Sequence, residues 1–307
     1  MNVVNHLQSG MSPTVKVSAH IDWISYTANA MAERGVENGL VLLDDFKLPY
    51  RIIRATNGYT NARQYRSGAI VQWHPTHPTM GINCTYSAQA LSFAAENFGL
   101  SQDTILSELS QYGRISRIDV CLDIDGMDID IRKLYTDALS GKIKTRAKTF
   151  GYVESAKAGN EQGASTAYIG SMHKRKKLLR VYDKGKQLNL DDFKIRFELE
   201  QHGQLANESA ELLLKNPQAI ASSIAGLIKG YADFSETVAA FAFDDIQAIK
   251  ASHPQYRKSD TAKWLIETVA KTLAKEVNAD YNVFDDFISS FKYHLTSLAA
   301  EMVDTSE

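Results

Sequence analysis

Two cysteines, six prolines and a formal charge of −2 in 307 residues put several protein classes out of reach. Cys84 and Cys121 are too few for a disulfide framework or a four-cysteine zinc site. Eighteen glycines and six prolines are too few for a collagenous or long disordered chain. No run of about 18 apolar residues occurs, so no membrane-spanning helix is expected. The start, Met1-Asn2-Val3-Val4-Asn5-His6, lacks the basic-then-apolar order of a secretory signal. An intracellular, reducing compartment is therefore the expectation. Lys and Arg number 34 against 36 Asp and Glu, so the molecule is no polycation. Any contact with nucleic acid has to come from a local patch. A GxxxxGK[ST] phosphate loop and a His-hydrophobe-His strand are both missing.

What is present is an ordinary globular mixture, 44 % hydrophobic and 23 % charged, in a chain long enough to bury a core. Residues 16–27 alternate and are rich in β-branched and aromatic side chains, which predicts a first strand ending in a buried Trp23. A short helix is expected near 29–43. Strands are expected over 48–87, with Asn57-Gly58 as a hairpin turn. Helical spacing from Ser87 to Tyr112 predicts two helices. A strand over 114–125 precedes a helix over 128–140, capped by Asp128 or Asp130. Further strands are expected at about 164–170, 177–184 and 194–201. This order predicts an α+β fold on an antiparallel sheet, not a doubly wound one. After Gly203 the apolar spacing turns helical, over 205–250, 260–277 and 283–302. The expected organisation is an α+β domain over 14–203 and a helical region over 204–307, the latter a candidate for binding DNA or a partner.

The most informative pattern has period two, because residues i, i+2 and i+4 of a strand share a face. Arg117, Asp119, Cys121 and Asp123 lie opposite Ile118, Val120 and Leu122. Arg180, Tyr182, Lys184 and Lys186 lie opposite Leu179, Val181 and Asp183. Arg196, Glu198 and Glu200 lie opposite Ile195, Phe197 and Leu199. If the three strands are neighbours, these polar faces form one site of carboxylates, cations and a phenol. Clustered carboxylates repel unless a cation lies between them, and hard oxygen ligands suit Mg2+ or Mn2+. The same pattern also describes a solvated face laced with Arg–Asp and Arg–Glu pairs.

A second signal is charge. Lys174, Arg175, Lys176, Lys177 and Arg180 crowd into nine residues, and Lys142, Lys144, Arg146 and Lys148 lie upstream. Such a hairpin tip suits a phosphate backbone, and it also suits a solubilising loop. His74 and His77 in WHPTHP read as a proline-stiffened loop.

The succession RIDVCLDID (117–125), STAYIGS (165–171), LLRVYDKGKQ (178–187) and RFELE (196–200) resembles the replication initiation factor family. These are rolling-circle initiators of plasmids, filamentous phages and integrative elements. HIDWISYT (20–27) is similar to that family's opening strand and MGINCTYSAQA (80–90) to its central strand. The similarity runs over roughly 18–202. The resemblance implies that 14–203 is a DNA nicking and strand-transfer domain. It implies Tyr182 as the nucleophile that takes the 5′ phosphate, with Arg180 and Lys184 beside it. Asp119 and Glu198 are implied as ligands of Mg2+ or Mn2+, with Asp123 or Glu200 as a third. Arg117, Lys174, Arg175, Lys176, Lys177, Lys186 and Arg196 are expected at the DNA. Implied partners are origin DNA, single-stranded or supercoiled, and the host helicase and replication machinery. A homodimer is left open, no membrane is involved, and the place of action is a bacterial cytoplasm. A phosphotyrosine link keeps the free energy of the phosphodiester, so rejoining needs no ATP. The competing reading is a non-catalytic protein that binds an origin or operator.

Overall fold

The computed structural model describes residues 15–28, 48–156, 162–172, 176–188, 193–238 and 247–250. The described elements begin with β1 (Lys16–Ala28), β2 (Tyr50–Ile52), β3 (Asn61–Tyr65), β4 (Ile70–Trp73) and β5 (Ile82–Ser87). Then come α1 (Ala88–Phe98), α2 (Gln102–Tyr112), β6 (Gly113–Asp125), α3 (Ile131–Leu139), β7 (Lys144–Thr145), β8 (Phe150–Ala156) and β9 (Gln162–Ile169). The series ends with β10 (Lys177–Asp183), α4 (Lys184–Leu188), β11 (Lys194–His202), α5 (Gln204–Leu214), α6 (Ile220–Tyr231) and β12 (Ala232–Asp233). Ten strands form one antiparallel sheet in the order β2-β3-β4-β5-β1-β6-β11-β10-β9-β8. The expected α+β architecture is what the chain adopts.

Local chemistry explains the element ends. Asn57 and Gly58 take positive φ, 55° and 84°, as the central pair of the turn that Tyr59 N–H closes on Thr56 O at 3.0 Å, at the tip of the β2–β3 loop. Helix α2 starts at Ser101, whose hydroxyl accepts from Thr104 N–H, and α1 stops at Gly99 in the left-handed region. Asp130 caps α3, accepting from Lys133 N–H at 2.9 Å. The helical stretch expected over 205–250 is interrupted where Pro217 follows Asn216, giving α5 and α6.

One face of the sheet is the core. Ile24, Tyr26, Ile118, Val120, Leu179, Val181, Phe197 and Leu199 are wholly buried there. The helices lay their apolar stripes on it, Leu205, Ala206, Ala210 and Leu213 from α5 and Ile224, Leu227 and Ile228 from α6. These two helices therefore share the sheet's core. One compact unit spans Met1–His253, and the boundary expected at 203 falls inside it. No described helix is long and apolar enough to cross a membrane. The helices expected near 29–43, over 260–277 and over 283–302 lie outside the described residues.

Three readings are corrected. The strand expected to run on through Lys184 and Lys186 ends at Asp183. There Asp183 Oδ1 accepts from Lys186 N–H at 2.9 Å and starts α4. Trp23 is half-buried on the polar face, not in the core. Its phase changes because the β1–β6 register slips between Ile21 and Trp23. That bulge shows Asp22 and Trp23 on one side in succession. Lys177 sits on the core side of β10, with Nζ 4.7 Å from the centre of the Tyr231 ring. Burial lowers its pKa to about 8, and its ammonium is turned toward the Tyr231 ring.

Candidate functional site

The other face of the sheet carries the site. Because β1, β6, β11 and β10 are consecutive, their polar residues line up in rows across the strands. One row is Ser25, Arg117, His202. The next is Trp23, Asp119, Glu200. A third is His20, Cys121, Glu198, Arg180, Tyr168. A fourth is Ser18, Asp123, Arg196, Tyr182, Thr166. The three polar faces expected from the sequence thus meet on one surface.

In the centre, three carboxylates share two guanidiniums. Arg117 grips Asp119 with two bonds, Nε to Oδ1 at 2.9 Å and Nη2 to Oδ2 at 2.6 Å. Arg180 Nη2 donates to Glu198 Oε1 at 2.5 Å and to Glu200 Oε2 at 3.1 Å. His202 Nε2 lies 2.7 Å from Glu200 Oε1. Asp119 and Glu200 are each 1 % exposed. Burial pushes the Asp119 carboxyl up to about 6, with the Glu200 and Glu198 charges adding to the push and Arg117 opposing it. Burial pushes Glu200 the same way, but His202, Arg117 and Arg180 outweigh it and hold that carboxyl down at about 2.

Tyr182 stands at the edge of this cluster. Its hydroxyl donates to Glu198 Oε2 at 2.8 Å. Burial, then the charge and hydrogen bond of Glu198, raise the phenol above its usual value, so it rests protonated. Lys184 Nζ lies 5.9 Å from the Tyr182 ring centre and bonds Gln187 Oε1 at 3.0 Å. Lys186 Nζ lies 4.0 Å from Asp183 Oδ2, one turn back.

The fourth row is a separate ionic group. Arg196 donates Nε to Asp123 Oδ1 at 2.7 Å, Nη2 to Asp123 Oδ2 at 2.9 Å and Nη1 to Asp22 Oδ1 at 2.8 Å. At 7 % exposure it has little surface left for a DNA backbone. Arg117 is also engaged, stacked 4.5 Å over the Trp23 ring. Of the cations expected at the DNA, Lys176 is exposed just before β10, and Lys174 and Arg175 lie outside the described residues.

Sequence reasoning missed His20, Asp22, Trp23 and His202. His20, Asp22 and Cys121 bring a nitrogen, an oxygen and a sulfur within 4.8 Å of one another, the only such group among the described residues. The signal was His20-Ile21-Asp22, a polar pair around an apolar residue in the opening strand. The four carboxylates expected as metal ligands, Asp119, Asp123, Glu198 and Glu200, all have guanidinium partners.

The sequence profile of the replication initiation factor family matches residues 113–291. The match thus runs past the expected limit near 202 into the C-terminal region. A rolling-circle replication initiator protein from Geobacillus stearothermophilus shares the fold, with a TM-score of 0.61 and 19 % sequence identity. The superposition covers 70 % of this chain and 86 % of that one. No curated protein matches the chain.

Proposed function

The chain belongs to the replication initiation factor family, and from that premise we propose that it starts rolling-circle replication by cutting one strand of its origin with Tyr182 and later rejoining it. The observation that carries this reading is the 2.8 Å hydrogen bond from the Tyr182 hydroxyl to Glu198, beside two arginines. A neutral phenol is a poor nucleophile, and a carboxylate in hydrogen-bond contact is placed to take its proton. The phenol oxygen attacks phosphorus as the proton passes to Glu198. The bond from phosphorus to the 3′ oxygen breaks, and that oxygen takes the proton back from Glu198 and leaves as a hydroxyl, restoring the carboxylate. The 5′ phosphate remains on Tyr182. Reversal by an incoming 3′ hydroxyl reseals the strand.

Arg180 is suited to the phosphate. Its Nε is buried and has no hydrogen-bond partner among the described residues. A phosphate oxygen would satisfy it with a charge-assisted bond. A divalent cation would be held by His20 and Asp22, where it would compete with Arg196, whose guanidinium bonds Asp22 Oδ1 at 2.8 Å and lies 3.2 Å from His20 Nε2. Their nitrogen and carboxylate donors suit Mn2+ better than Mg2+, which prefers oxygen alone. Burial keeps the Cys121 thiol protonated, so it would line that place and not ligate as thiolate. When bound, such a cation supplies positive charge to the phosphate in the transition state.

The test is covalent trapping on single-stranded origin DNA, with Mn2+ or with EDTA. Wild type is expected to form an adduct in Mn2+, and Tyr182→Phe none while still binding DNA. An adduct in Tyr182→Phe would move the nucleophile elsewhere. No adduct in wild type with intact binding would favour a protein that binds the origin without cutting. An undiminished adduct in EDTA would remove the cation and leave the tyrosine.

A further inference from the structure

The row that ends in Arg117 and His202 does not stop at β1. It continues through Ser25 to Thr85 on β5 and Ile70 on β4. Above this extension lies a cleft of about 550 Å3. Its floor includes Ser25, Thr85, Gln72 and Asn83, and its inner wall is Trp23 with the Arg117 guanidinium stacked on it. The β2–β3 hairpin loop forms the roof. Thr56 ties the loop down, its N–H and hydroxyl donating to Gln72 Oε1 at 2.7 and 3.1 Å. Arg54 stands exposed at the rim.

We infer that this cleft takes one unpaired nucleobase of the same single strand whose phosphate is presented to Tyr182, an inference that rests on the nicking reading. The floor is shared: the cleft and the tyrosine sit on one face, and β1 is three strands from β10, about 14 Å at the usual strand spacing. The volume suits a single small ligand and excludes a duplex. Beside Ile53 and Ile70 the lining carries hydroxyls and amides, groups that both donate and accept, as the edge of a base demands. The indole–guanidinium wall is the flat, cationic surface on which bases stack. Arg117 joins the two places, since it holds Asp119 and lines the cleft. Arg54 at the rim suits the phosphate next to the bound base.

The experiment compares 12-mers of dA, dC and dT with an abasic 12-mer of equal charge, by fluorescence anisotropy with the full chain at one salt concentration. At least one base-bearing 12-mer is expected to bind about tenfold tighter than the abasic one. Asn83→Ala and Trp23→Leu are each expected to cut that ratio below about threefold and to leave abasic affinity unchanged. On wild type alone, the tightest 12-mer with one photoreactive halogenated base is expected to crosslink to the peptide carrying Trp23. Equal binding of base-bearing and abasic strands would overturn the subsite and leave the nicking reading standing. So would crosslinks confined to peptides outside the cleft. Failure to bind any strand would take both down.

Discussion

Asp119 and Glu200 face each other across the β6–β11 ladder, yet their environments push them in opposite directions. The folded Asp119 carboxyl, at about 6, binds its proton more tightly than in the unfolded chain, where 3.8 is usual. Its contribution to stability is therefore full below about pH 4 and is lost as pH rises to about 6. Glu200, at about 2 against a usual 4.5, does the reverse. Its contribution is present above about pH 4.5 and is lost as pH falls to about 2. Each change is of the order of 3 kcal/mol at 1.4 kcal/mol per pKa unit. Urea midpoints followed from pH 2 to 8 check this. Glu200→Gln is expected to flatten the acid limb, and Asp119→Asn the decline between pH 4 and 6. An acid limb unchanged in Glu200→Gln would mean that His202 and the arginines do not hold that charge.

At the next scale up, the transition from β10 to α4 sets where Tyr182 points. Tyr182 is the penultimate residue of the strand, and Asp183 ends the strand and caps the helix. The cap also fixes Lys184, whose ammonium faces the Tyr182 ring. Loss of an N-cap carboxylate costs about 1 kcal/mol. Asp183→Ala is expected to lose about that much stability and to slow adduct formation with DNA affinity unchanged. Asp183→Asn, which still caps, is expected to behave like wild type. Thermal melts and single-turnover trapping measure the two effects separately. Equal behaviour of both variants would show that the cap plays no part. The hairpin roof over the cleft depends in the same way on Asn57 and Gly58, the two positive-φ residues that turn the chain there.

Across the whole molecule, near-neutral charge is resolved into local fields. The basic run upstream is partly cancelled, since Lys142 Nζ lies 3.2 Å from Asp137 and Lys144 Nζ 2.7 Å from Glu236. Lys177 rests on Tyr231. Of the run from Lys174 to Lys177, Lys174, Arg175 and Lys176 are thus the cations proposed for the DNA backbone. Each lost phosphate contact makes the slope of log K against log salt shallower by about 0.7–0.9. Replacing Lys174, Arg175, Lys176 and Lys177 together by Ser is expected to make that slope shallower by about 2–3. Affinity should fall alike on every sequence. A slope unchanged in a salt titration would make the run a solvated loop.

Period two in RIDVCLDID, LLRVYD and RFELE was enough to place Arg117, Asp119, Arg180, Tyr182, Glu198 and Glu200 on polar faces, because alternation is a local property of an extended chain. Asn57-Gly58 likewise announced a turn and Asp130, alongside Asp128, a cap from their own chemistry, whereas the apolar spacing over 205–250 runs straight through the break at Pro217. Which strands are neighbours is not local. Only the order β1-β6-β11-β10 brings His20, Cys121, Glu198 and Arg180 into one row. The bulge between Ile21 and Trp23 is invisible to strict alternation, which puts Trp23 on the buried side and leaves Asp22 unmarked. Which guanidinium each carboxylate meets was also decided in three dimensions, since Arg117–Glu200 and Arg196–Asp22 join residues 83 and 174 positions apart. A sequence determines which side of a strand a charge lies on. The folded sheet determines what that charge faces, because pairing partners are chosen by packing of the opposite, apolar side.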